Sequence, residues 1–153
     1  MESHVQMRTL RFGMPLIVAG MLAVAGCATP GPPQEIYVTR TTAKSPADLH
    51  QAIRQYVGQK GWLYINDNKL KGGEITQVRI CDPKAASNIW SAGLKVSAMM
   101  PCGHMSIYQE GGATKVTMLH PRFLTMLDPH PAVRELADAV TAPYLAMMDD
   151  VTR

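Results

Sequence analysis

A chain of 153 residues with 46% hydrophobic residues has apolar content for one packed domain, and its net charge of +3 leaves no footprint for nucleic acid. The nearest approach to a basic run, Lys69-Leu70-Lys71, adjoins Gly72-Gly73 and reads as a solvated turn rather than a binding stripe.

The first element is a leader. Arg8 and Arg11 precede an apolar run from about Met14, which ends in Val24-Ala25-Gly26-Cys27. The arginines stay on the cytoplasmic side, the apolar run enters the membrane, and small residues before the cysteine let a peptidase reach the backbone. This is the layout of a bacterial lipoprotein: residues 1–26 form the signal peptide, and Cys27 begins the mature chain, carrying its acyl chains, palmitate among them. Phe12 to Ala28 spans 17 residues with Pro15 and three glycines, short of the ~20 that cross a bilayer. An ordinary secretory signal would leave Cys27 as a plain thiol, but a cysteine directly after Ala-Gly favours acylation. Ala28 stands where an inner-membrane retention signal would put Asp, so the expected location is the outer membrane, facing the periplasm.

The mature part has 13 basic and 11 acidic side chains over 127 residues, enough for one domain and not two. Residues 27–35, rich in Pro and Gly, form a tether, and 36–153 the domain. Ile36 to Thr42 predicts a first strand. Ser45 as N-cap, Pro46 at N1 and Asp48 at N3 open a helix whose apolar face is Leu49, Ile53, Tyr56 and Val57. Trp62 to Asp67 and Ile75 to Asp82 predict a hairpin, and Lys84 to Gly93 a short helix. Cys102 to Gln109 and Thr114 to His120 flank Glu110-Gly111-Gly112-Ala113, a second hairpin in which Met105 faces Met118 and Ile107 faces Val116. Cys102, His104, Ser106 and Tyr108 then point to the opposite side. From about Pro131 to Val151 a long helix carries Val133, Leu136, Ala137, Val140, Tyr144, Met147 and Val151 on one stripe, led in by Asp128 or His130 and interrupted by Pro143. The economical architecture is α+β: one antiparallel sheet of about five strands in β-α-β-β-α-β-β-α order, with helices over one face.

Ile80-Cys81-Asp82-Pro83-Lys84-Ala85-Ala86, then Met100-Pro101-Cys102, then Ser106-Ile107-Tyr108 resemble domain-of-unknown-function family 302. That family reads Cys-Asn-Pro-Lys-x-Ala, Leu-Pro-Cys and a strand ending near Tyr-Glu. Here Asp82 replaces Asn, Met100 replaces Leu, and Gln109 follows Tyr108. The resemblance runs from about Pro46 to Val151. It implies a TATA-binding-protein-like fold, a curved antiparallel sheet with a long C-terminal helix, and is compatible with a homodimer. It implies no activity. Under that fold the strand ending at Cys81 lies beside the strand starting at Cys102, and the sulfurs can meet.

Three readings of Cys81 and Cys102 stay open: a disulfide, favoured by an oxidising periplasm; two reduced packing thiols; or a soft-metal or redox site. The third draws on Met99, Met100, Cys102 and His104, ligand types that select Cu(I), together with Cys81. No Cys-x-x-Cys, Gly-x-Ser-x-Gly, His-Glu-x-x-His or phosphate-cradling glycine loop occurs, so common zinc, hydrolase and nucleotide chemistries lack support. His120 and His130, each next to a proline, read as capping or surface residues. His50 reads as solvated, and Asp149-Asp150 as a charge pair at the chain end. Trp62, Trp90, Tyr37 and Tyr56 read as core aromatics. The preferred function is a non-catalytic, lipid-anchored binding domain for a small ligand or an envelope protein. The alternative is a periplasmic thiol or copper-handling protein using Cys81, Cys102 and His104.

Overall fold

Two hairpins and a returning first strand build the sheet. The computed structural model describes residues 35–100 and 103–153, all within one compact unit, Pro33–Arg153. The strands are β1 (Tyr37–Thr42), β2 (Leu63–Leu70), β3 (Ile75–Cys81), β4 (Gly103–Glu110) and β5 (Ala113–Leu119). The helices are α1 (Pro46–Gln59), the single turn α2 (Leu124–Leu127) and α3 (Pro131–Thr152). Every pairing is antiparallel and the spatial order is β1-β5-β4-β3-β2. The leader, Cys27, the tether and Cys102 lie outside the described residues.

The β4–β5 hairpin has the expected register, Met105 against Met118 and Ile107 against Val116. Gly111 and Gly112 take φ of +61° and +79°, the left-handed backbone that a two-residue hairpin turn demands. Those four apolar side chains, with Val78 and Ile80, are buried beneath α1 and α3. His104, Ser106 and Tyr108 alternate onto the opposite face, His104 exposed and the other two half-buried.

Ser45 caps α1 as expected, its Oγ accepting from the Asp48 amide at 3.1 Å. Leu49, Ile53 and Val57 are its buried face. All seven residues of the α3 stripe are buried, joined by Ala132 and Met148. His130 is the α3 cap, its Nδ1 accepting from the Ala132 amide at 3.2 Å, while Asp128 accepts from the His130 amide. Pro143 sits inside a continuous helix. The carbonyl its ring deprives of a donor belongs to Ala139, which is exposed and has water available.

Tyr144 ties the layers together. Its ring is fully buried and meets Trp62 edge-on at 5.1 Å between centroids. Its hydroxyl accepts from the Asp82 amide at 3.2 Å, and burial raises the phenol to about 12. Gly103 lets it approach, since a Cβ there would stand 2.9 Å from the ring and 3.0 Å from Ile80.

The segment expected as a short helix over 84–93 folds differently. Asp82 Oδ1 accepts from the amides of Lys84 and Ala85, closing a turn. Two 3₁₀ stretches follow, Ile89–Ala92 and Leu94–Met99, joined at Gly93 with φ +89°. That joint, outside the helical region, keeps the two stretches from merging into one helix. Two expected core aromatics are instead exposed, Tyr37 on edge strand β1 and Trp90 in the first 3₁₀ stretch, while Tyr56 and Trp62 pack against the core.

The sheet has two unlike ends. Tyr37, Leu63, Cys81, Gly103 and Leu119 mark the proximal end, where the chain enters the domain. The distal end carries the turns Lys71–Gly73 and Gly111–Gly112.

Candidate functional site

The proximal end holds an apolar pocket of about 210 Å³ lined by Ala98, Met99, His104, Leu119, Pro121, Leu124 and Leu127. Two connections bring these residues together. In the β3–β4 connection Ile89, Ala92 and Val96 are buried and pin the 3₁₀ stretches to the domain, which carries Ala98 and Met99 to the sheet. In the β5–α3 connection His120 caps the 3₁₀ turn Pro121–Phe123, its Nδ1 accepting from the Arg122 amide at 3.3 Å. Pro121 and Leu124 are buried there. Lys95 and Asp128 clip the two connections together at 2.9 Å, and that ammonium contact lowers the Asp128 carboxyl.

Among the described residues His104 is the one ionisable group in the pocket wall. Arg79 stands opposite it in the β3–β4 register, with Nε buried and no hydrogen-bond partner among the described residues. A pocket of this size with apolar walls and one imidazole suits a small apolar molecule with a single polar handle.

The residues singled out from sequence are only partly gathered. Met99 and His104 share the pocket, and Met100 is half-buried against the core. Cys81 is buried at the end of β3, paired with Leu63 on one side. Among the described residues no three His, Cys, Asp or Glu side chains are grouped to hold a metal ion.

A second cluster escaped the sequence reading, which placed His50 in solvent. His50 Nε2 lies 2.6 Å from the Tyr64 hydroxyl, which donates to Asp67 at 2.7 Å. The hydroxyl has one hydrogen, so the imidazole is the donor to it. Arg54 covers the Tyr64 ring at 4.5 Å and reaches Asp67 at 3.8 Å. A bulge makes this assembly. The register slips between Tyr64 and Asn66, so Tyr64 and Asp67, three apart, face the same helix. Desolvation lowers the His50 pKa against the pull of Asp67, and desolvation with the Asp67 hydrogen bond raises that of Tyr64. A phenol held neutral between two partners is no nucleophile. The cluster fastens α1 to β2.

The fold is similar to the crystal structure of an uncharacterized conserved protein DUF302 from Bacillus stearothermophilus. The TM-score is 0.69 at 20% identity, over 78% of this chain and 100% of that one. No curated protein matches the chain. One motif position has a structural meaning here: Asp82 closes the turn after β3. With the family model for the domain of unknown function DUF302 matching residues 38–151, the chain belongs to the DUF302 family.

Proposed function

We propose that this chain is an outer-membrane lipoprotein, held through acylated Cys27, whose domain is a non-catalytic module binding a small apolar ligand in the proximal pocket. One observation carries the binding part: apolar walls from two separate connections converge on a single imidazole, His104. The anchor rests on Val24-Ala25-Gly26-Cys27 behind a basic and apolar leader. Mass spectrometry of the mature N-terminus tests it, with a triacylated Cys27 expected and an unmodified one overturning it. Titration with toluene, followed by amide chemical shifts, tests the pocket. Shifts clustered at Met99, His104 and Leu124, and lost in Leu124→Arg, are expected; shifts scattered over the surface overturn the pocket.

Cys81 and Cys102 are joined as a structural disulfide in this proposal. Its support is the Ile80–Gly103 pairing, whose continuation by one step pairs 81 with 102. Thiol labelling without reductant is expected to find neither cysteine, and two labelled thiols would refute the bond. A second reading draws on Met99 and His104 sharing one pocket: a Cu(I) site completed by reduced Cys81 and Cys102. Cu(I) uptake by the reduced protein, lost in Met99→Leu and His104→Ala, would favour it over the disulfide.

A further inference from the structure

We propose that the proximal end of the domain docks on the phospholipid surface that holds the acyl chains of Cys27; this rests on the lipoprotein reading above. Exposed apolar side chains scattered singly are ordinary on a protein surface. Here they are concentrated. Among the described residues every large exposed apolar side chain except Leu70 lies in the proximal half of the sheet or on the connections at that end. The most prominent are Leu94, 82% exposed, Met126, 75%, and Tyr37, 62%, and Leu127, Trp90 and Ile36 on the same two connections and the strand entry are exposed as well.

The His120 amide donates to the Ile36 carbonyl at 2.8 Å, and Tyr37 pairs with Leu119, so strand entry and the α2 connection lie side by side. Leu127 and Leu119 line one pocket, and Lys95 and Asp128 bring the Leu94 segment to the same place.

Chain connectivity selects the occupant. Ile36 is nine residues from Cys27, a span of at most ~30 Å of extended chain. The acyl chains therefore keep the proximal end within reach of the bilayer, while the distal turns lie a strand length further along the sheet, ~25 Å. The chemistry agrees. Trp and Tyr prefer the headgroup level, Leu, Ile and Met bury in the outer acyl region, and Lys84, Lys95 and Arg122 on the same connections suit phosphate headgroups. Among the described residues no helix is long and apolar enough to cross a membrane, and the exposed side chains sit on short turns and an edge strand. That arrangement suits shallow contact.

The test uses the full mature lipoprotein in vesicles of phosphatidylethanolamine and phosphatidylglycerol, with acyl chains brominated near the headgroup. The chain has two tryptophans, and Trp62 is half-buried against Tyr144. The bromines are expected to cost roughly half of the Trp90 emission, as for an indole at headgroup level. Trp90→Phe should remove the quenched component. Leu94→Asp with Met126→Asp should abolish quenching while leaving flotation with the vesicles intact. Flotation without quenching, or quenching unchanged by the paired aspartates, overturns docking alone. A chain that does not float overturns the anchor and the docking with it. A wild-type dimer that those aspartates convert to a monomer assigns the surface to a second copy and overturns the proposal.

Discussion

The two ends of the sheet are built by opposite means. The distal end is closed by tight turns, with glycines at positive φ and charged pairs such as Lys71–Glu74 at 2.7 Å and Lys115–Glu110 at 2.5 Å. The proximal end is closed by two longer connections, packed against α3 and each other, that leave a pocket and exposed apolar side chains between them. The distal end has a hollow too, between Thr41–Ser45 and Gln109–Thr114, but hydroxyls, an amide and Lys44 dominate its walls where the proximal pocket is apolar. Connections that must borrow a neighbour's surface create hollows and unfinished apolar edges, and that is where binding chemistry collects.

If the proximal end depends on Tyr144, truncating that residue should cost most. Tyr144→Ala removes a fully buried ring that supports β3, Trp62 and Gly103, with an expected loss of about 3–5 kcal/mol in urea denaturation. A change in midpoint below that of an ordinary surface mutant would break the comparison. Gly103→Ala forces a methyl to 2.9 Å from the ring and should cost about 1–3 kcal/mol by overpacking. At the distal end Gly111→Ala meets open space and pays only for its φ of +61°, about 1 kcal/mol. Measuring both by the same unfolding method sharpens the contrast, and equal costs would remove it.

Acid supplies a third probe, because burial has lowered the pKa of two histidines, His120 at the proximal end and His50 between α1 and β2. A histidine with a folded pKa below its unfolded value takes up its proton less readily when folded. Stability is therefore full above the unfolded value near 6.5 and falls as pH drops through it toward the folded pKa. His50→Gln and His120→Gln should each flatten the decline of Tm between about pH 7 and 5, and together more than either. A wild-type Tm that rises on acidification through this range would contradict both shifts. The smallest effect belongs to Lys71→Ala, whose exposed ion pair with Glu74 should leave Tm unchanged within error.

Much of this fold could be read directly from the chain because local chemistry decides it. The Gly111–Gly112 turn sets the register of β4 and β5, Ser45-Pro46 opens α1, and every residue of the α3 stripe is buried, with Ala132 and Met148 added to that face. The site was less legible. Its walls come from residues near 98 and near 119–127, which no periodicity links, and the usable signal was apolar residues belonging to no strand or helix face: Met99, Leu124 and Leu127. The bulge that joins His50 to Tyr64 and Asp67 was invisible for another reason. One extra residue in Leu63–Leu70 reverses which side chains face the helix without changing composition. Trp90 and Tyr37 were misplaced because aromatic content alone does not separate a core from an exposed surface.

The placement of β1 governs when the domain can close. Its sheet neighbour is β5, and Thr39 meets Thr117 across 78 residues of chain. Both hairpins zip from nearby segments, whereas this pairing waits for the longest loop of any strand pairing in the sheet to shut, the slow kind of step in folding. Synthesis runs amino end first and thus delivers the opening strand long before its mate arrives. Until then β1 waits without its one sheet neighbour, an open strand of the kind that can pair with strangers.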